Sequence, residues 1–171
     1  NRYPSYFIYG PMVLSPVYSD FAFAILRNVL GDSSPIVKRL TDDCAFPGEE
    51  LVMIAAQQLL PHRLSKGYDA GAFSVVGKVN GTPVKNLAHL VETLRDMKDE
   101  FVTFEFADEG TETIVFRRSD VEAAQEQILE DNDIRSQCSP DLEKVWKRQL
   151  EAEGRGGAMQ LRARRAIHVA R

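Results

Sequence analysis

Residues suited to metal or disulfide chemistry are scarce in this chain. Two cysteines, Cys44 and Cys138, stand among 171 residues, too few for the disulfide lattice of a small secreted scaffold. Two ordinary thiols are expected, with a lean toward a reducing compartment. His62, His89 and His168 are the only histidines, and none has another His or a Cys at ligand spacing, so no metal or cofactor is expected. Long apolar runs are also missing. The longest, Phe21–Leu26 and Leu51–Ala56, fall well short of the ~20 residues that span a bilayer. No basic-then-apolar leader opens the chain, but Asn1 rather than Met stands first, so this is silent on targeting. No phosphate-binding loop is present, because Gly154-Arg155-Gly156-Gly157 follows a helical stretch rather than a strand.

What is there is an ordinary globular composition, 44% hydrophobic and 27% charged, enough at this length to bury a core without staples. The net charge of −4 is unevenly spread. From Asp141 onward there are eight Lys/Arg against four Asp/Glu, leaving −8 on the first 140 residues and +4 on the rest. An acidic body disfavours nucleic acid as the main partner. The carboxylate pairs Asp42-Asp43, Glu49-Glu50 and Asp131/Asp133 fall in loops and at helix ends, where acids are usually solvated. Arg162, Arg164 and Arg165 form a basic patch in the tail.

The local patterns predict an α+β chain. Two short strands, Tyr6–Tyr9 and Met12–Ser15, flank a Gly-Pro turn. Ser15-Pro16 has the form of a helix start, with a helix running through Phe21–Leu26 to near Gly31. Ser34-Pro35 repeats that signal before a short helix over Ile36–Leu40. Strands are expected at Leu51–Gln57 and Phe73–Val79, with 58–72 irregular between them. Asn80-Gly81 is a tight-turn signal, and Thr82–Val84 resumes the strand. Asn86 is placed to cap a helix whose Leu87, Leu90, Val91 and Leu94 recur at i, i+3, i+4 and i+7. Phe101–Ala107 and Thr113–Arg117 pair as a hairpin. Ser119 is expected to cap a helix to about Asp131, and Ser139-Pro140 to open a last helix to about Glu153. Short strands with a few helices suggest a small, mostly antiparallel sheet or partial barrel with flanking helices.

Catalytic signals are sparse. Gly31-Asp32-Ser33-Ser34-Pro35 looks like the GDSGGP nucleophile segment of trypsin-type serine proteases, but the following glycines are missing and no histidine precedes the serine, as the chymotrypsin order requires. A connecting turn is the plainer reading, and a hydrolase acting through Ser33 is carried only as a minor alternative. A binding architecture remains. An exposed strand edge beside an amphipathic helix can accept an extended peptide as one more strand. Here the strand is Met12–Ser15 and the helix Leu87–Met97, with the Gly10 loop offering N–H groups to a terminal carboxylate.

Several ordered segments carry a family resemblance. Tyr6–Pro16, YFIYGPMVLSP, resembles an opening strand, carboxylate-binding loop and second strand. Gly48–Leu60 with Gly67-Tyr68 resembles a "GE.VVILSQVL…GY" stretch, and Lys78–Leu94 a "VNG.PV.NL.HL" segment. Ile128-Leu129, Ile134, Ser139 and Asp141-Leu142 resemble a trailing "IL…I…S.DL" signature. Together they resemble the second, C-terminal PDZ domain of Deg/HtrA (protease Do-like) serine proteases, in the plant-type Deg form. The resemblance implies a PDZ-like body over residues 1–143, followed by a helical extension and basic tail over 144–171. It also implies a noncatalytic module that binds peptide or protein segments, or neighbouring subunits of a homo-oligomer, and so regulates substrate access or assembly. The ATP-independent trypsin-like protease domain would lie outside this sequence. The peptide-binding residues it implies are Tyr9, Gly10, Pro11, Met12, Val13, Leu14, Leu87, Leu90, Val91 and Leu94. A purely structural oligomerisation domain with a closed or self-occupied groove is the alternative, with Val145, Trp146 and Leu150 as its sticky face or as a lid on its own core. One departure bears on the choice: Pro11 has no N–H. A lost hydrogen bond to a charged group is worth about 1.5–3 kcal/mol, roughly ten- to hundredfold in affinity.

Overall fold

The computed structural model describes residues 4–18, 34–39, 42–69 and 73–147. The helix expected across Phe21–Leu26, the Gly31–Ser33 segment and the tail beyond 147 lie outside them.

Strand β1 (Phe7–Tyr9) turns at Gly10-Pro11 into β2 (Met12–Pro16). Gly10 has φ +54, so a glycine leads this two-residue turn, as hairpins with a positive first φ require. Residues Ser34 to Arg39 form the short helix expected there, α1 (Pro35–Arg39), with the Ser34 hydroxyl accepting from Ile36 N–H at 3.3 Å. Strand β3 (Val52–Ile54) pairs antiparallel with β2, giving a three-stranded sheet in the order β1-β2-β3. A 3-10 turn at Arg63–Ser65 interrupts the irregular stretch before the second sheet.

That second sheet holds β4 (Val76–Val79), β5 (Thr82–Pro83), β6 (Phe101–Phe106) and β7 (Ile114–Arg117), in the order β5-β4-β6-β7, all antiparallel. Asn80 and Gly81 both have positive φ (+46 and +75), as expected for the β4–β5 turn. Asn80 also ties the turn to β6, where its side-chain oxygen accepts from Thr103 N–H at 2.6 Å. A bridge between Met53 and Val75 joins the two sheets. The arrangement is α+β, as expected, and among the described residues the sheets do not close into a barrel.

Helix α2 (Leu87–Asp96) begins at the expected cap, where Asn86 accepts from His89 N–H at 2.8 Å. Its stripe Leu87, Leu90, Val91 and Leu94 is buried, packed into one core with Phe7, Met12, Leu14, Ile54, Phe104 and Phe116. Helix α3 (Arg118–Asp131) and a helix over residues 140–147, α4, complete the body.

Two expected helix starts are corrected. Ser15 and Pro16 finish β2, with Pro16 opposite Val52. A proline is tolerated at a strand end, and Val17 N–H continues the ladder to Leu51 O, so sheet pairing overrides the local cap signal. Ser119 does not cap α3. The helix begins at Arg118 directly from β7, and Arg117 supplies no side-chain cap. Arg118 N–H is instead bonded to Glu100 O at 2.8 Å, so a backbone partner across the hairpin replaces a capping hydroxyl.

The Asn86 cap has a measurable consequence. Asn86→Ala is expected to lower stability by about 1 kcal/mol, seen as a lower urea midpoint at unchanged m-value.

Candidate functional site

The strand expected to offer an open edge is a middle strand. β2 has β1 on one side and β3 on the other. The outer edge of β1 is covered as well, by the connection between α3 and α4. Ile8 N–H donates to Gln137 O at 2.8 Å, Ser139 N–H to Tyr6 O at 3.0 Å, and the Gln137 amide to Ile8 O at 3.0 Å. Phe7 and Cys138 form the bridge between them. Residues 137–139 thus act as one further antiparallel strand contributed by the chain itself.

The Gly10 loop is likewise engaged. Gly10 N–H donates to Gln125 Oε1 of α3 at 2.8 Å, and Pro11 has no N–H to give. Of the ten residues implied by the resemblance, Tyr9, Gly10, Pro11, Met12, Leu14, Leu87, Leu90, Val91 and Leu94 are buried and Val13 is half-buried. Two of them, Tyr9 and Leu94, line a cleft.

That cleft, about 460 Å³ in volume, opens where the end of β1, the C-terminal end of α2, the first turns of α3 and helix α4 meet. Its apolar wall comes from Leu94, Met97, Val121 and Trp146. Trp146 is held by Phe7, with ring centroids 5.0 Å apart, and both Val145 and Trp146 pack against the core. The polar wall comes from Arg95, Lys98, Arg118, Glu122 and Gln125. Arg95 is committed to Asp96, at 2.6 Å and 2.7 Å, and to Val145 O. Those bonds hold the Asp96 carboxyl below the usual carboxylate range. Arg118 pairs with Glu122 at 2.6 Å and donates to Asp99 O. Burial, reinforced by Glu122, pushes the Tyr9 phenol well above its ordinary value, so it stays a neutral donor.

Gln125 is the residue that sequence reasoning missed. It sits four after Val121 and three before Ile128, both buried, so a polar side chain interrupts an apolar stripe. That interruption was the available signal. Only an acceptor can serve the Gly10 N–H, so Oε1 must face it. Nε2 is then left buried with no hydrogen-bond partner. His62 caps the 3-10 turn and His89 lies on α2, and among the described residues no three His, Cys, Asp or Glu side chains gather as a metal site. Both cysteines are free, Cys44 exposed and Cys138 buried.

Comparison with known proteins matches the family profile described as PDZ domain to residues 1–141. The chain belongs to the PDZ domain family. This PDZ domain is 30% identical over 139 residues to "Protease Do-like 2, chloroplastic" of Arabidopsis thaliana, covering 81% of the chain and 22% of that protein. It is 29% identical over 139 residues to "Putative protease Do-like 11, mitochondrial" of the same organism, covering 81% of the chain and 20% of that protein. The chain therefore spans about a fifth of the length of the curated relatives it matches. No helix among its described residues is long and apolar enough to cross a membrane.

Replacing Gln125 tests the loop contact. Gln125→Ala removes the acceptor for Gly10 N–H, and the expected loss is about 1–3 kcal/mol. Amide hydrogen exchange at Gly10 should accelerate well beyond that at Leu14, which lies in the middle of the sheet.

Proposed function

We propose that this PDZ domain is a noncatalytic protein-binding and assembly module of a Do-like, ATP-independent serine endopeptidase, with peptide cleavage performed by a domain outside this sequence. The names of its relatives and the fifth of their length that it spans support that setting. In this reading the body runs over residues 1–143 and the appendage over 144–171, the boundary falling inside α4, whose Val145 and Trp146 pack on the body.

One observation supports a particular mode of binding for such a module. The places where a PDZ-type groove would accept a chain end are already filled by the chain's own atoms. β2 has β1 and β3 on its two edges, residues 137–139 lie along the outer edge of β1, and Gln125 holds the Gly10 N–H. Adding a peptide strand would require breaking these bonds, and a terminal carboxylate would find no free donor at Gly10 or Pro11. This favours binding through side chains at the cleft over capture of chain ends. Tyr9 and Leu94 are then contact residues. Met12, Leu14, Leu87, Leu90 and Val91 belong to the same core as Tyr9 and Leu94, and Gly10, Pro11 and Val13 to the β1–β2 hairpin. The same self-occupancy supports a second reading, in which the module serves assembly of subunits alone.

Peptides with a free C-terminus should therefore show no saturable binding to the 171-residue chain at micromolar concentrations in a fluorescence-anisotropy titration. Tight binding that disappears on C-terminal amidation would overturn the self-occupied loop. Light scattering separates the two readings: a monomer that still captures internal segments favours the binding module, and a stable oligomer without peptide capture favours assembly.

A further inference from the structure

The cleft carries the wrong sign for its surroundings. The first 140 residues hold a net charge of −8, yet the cleft gathers Arg95, Lys98 and Arg118 against the single carboxylate of Glu122. Glu122 is already engaged by Arg118. The guanidinium of Arg95 is bonded to Asp96 and Val145. Lys98, by contrast, is exposed and makes no hydrogen bond among the described residues, although its charge acts on the Asp96 carboxylate two residues before it. Its ammonium is an exposed point charge lining the cleft.

The hydrogen-bonding inventory leans the same way. The Tyr9 hydroxyl has no partner among the described residues, and Gln125 Nε2 lies buried without one. The Gln125 oxygen is spent on Gly10. These two unpartnered groups are donors, which an incoming acceptor group would complement. Next to these donors stands the apolar wall of Leu94, Met97, Val121 and Trp146, an aromatic and aliphatic surface suited to a neighbouring apolar side chain.

Resting on the protein-binding reading above, we propose that this cleft binds an internal segment of a partner protein in which an Asp or Glu stands beside an aromatic or aliphatic residue. The carboxylate lies against Lys98 and the Tyr9 hydroxyl, within reach of the Gln125 amide as the wall adjusts. The apolar neighbour packs on Trp146. A chain end is the poorer source of the carboxylate, because the Gly10 and Pro11 loop has no free donor to hold it. The chain's own C-terminal part is the wrong occupant by charge, with eight Lys/Arg to four Asp/Glu from Asp141 onward.

The test uses the full 171-residue chain and its single tryptophan, Trp146, which reports occupancy of the cleft directly. The probe is a short acetylated and amidated peptide with a central Phe-Glu pair in a Gly-Ser frame. It should shift Trp146 emission saturably, and added salt should weaken it. Changing the peptide's Glu to Gln, or the protein's Lys98→Glu, should each weaken binding about tenfold or more. Lys98 is exposed and makes no hydrogen bond among the described residues, so the urea midpoint should move little while binding is lost in Lys98→Glu. The proposal is overturned if the Gln peptide binds as well as the Glu peptide, if Lys98→Glu leaves binding unchanged, or if binding demands a free C-terminus. It is also overturned in favour of a second copy of this chain if light scattering shows self-association that Lys98→Glu abolishes. Peptides that bind regardless of Lys98→Glu would defeat this proposal and leave the protein-binding reading standing. Failure of both blocked and free peptides to bind at all would defeat both.

Discussion

Buried backbone groups must find partners, and the first strand of this domain is enclosed on both sides by that requirement. β1 is only three residues long and fully buried. One side of it is satisfied by β2. The other would be a row of unpaired N–H and C=O groups, costly in a core and a template for foreign strands on a surface. Residues 137–139 close that row. The closure brings α4 back over the sheet, places Trp146 on Phe7, and so builds one wall of the cleft.

Gln125 extends the same logic to the turn. Gly10 adopts a positive φ to fold β1 onto β2, and its N–H is directed at α3 rather than along a ladder. A glutamine in the buried stripe of that helix meets it. The bond fixes the side-chain amide and strands the opposite nitrogen as a donor. A structural need at the turn thus leaves an unsatisfied group beside the cleft. Gly10 itself lies close against the helix, and a Cβ built there would sit 3.5 Å from Val121. That is an ordinary contact, so the positive φ, not a clash with α3, is what makes another residue costly here.

Much of the architecture was legible because it depends on near neighbours in the chain. The Asn80-Gly81 turn, the Asn86 cap and the Leu87–Leu94 stripe each arise from conformational preferences that act over a few residues. All three stand in the structure as expected. The two misplaced helix starts failed for one reason. Ser15-Pro16 and Ser119 carry local capping chemistry, but backbone partners more distant in sequence, Val52 and Glu100, were available and satisfied the chain instead.

By itself, then, the sequence determined the kinds of element and the apolar faces they bury, because propensity and periodicity are local, and its ordered segments carried the family resemblance. The occupancy of the strand edges was decided only in three dimensions. Nothing near Phe7 announces that residues 137–139 will lie beside it, about 130 residues further along the chain. Nothing near Gly10 points to Gln125. The cleft has the same origin: its cations come from the end of α2 and the start of α3, and its tryptophan from α4. Burial of those helices against a common core assembles a charge pattern that no single segment contains.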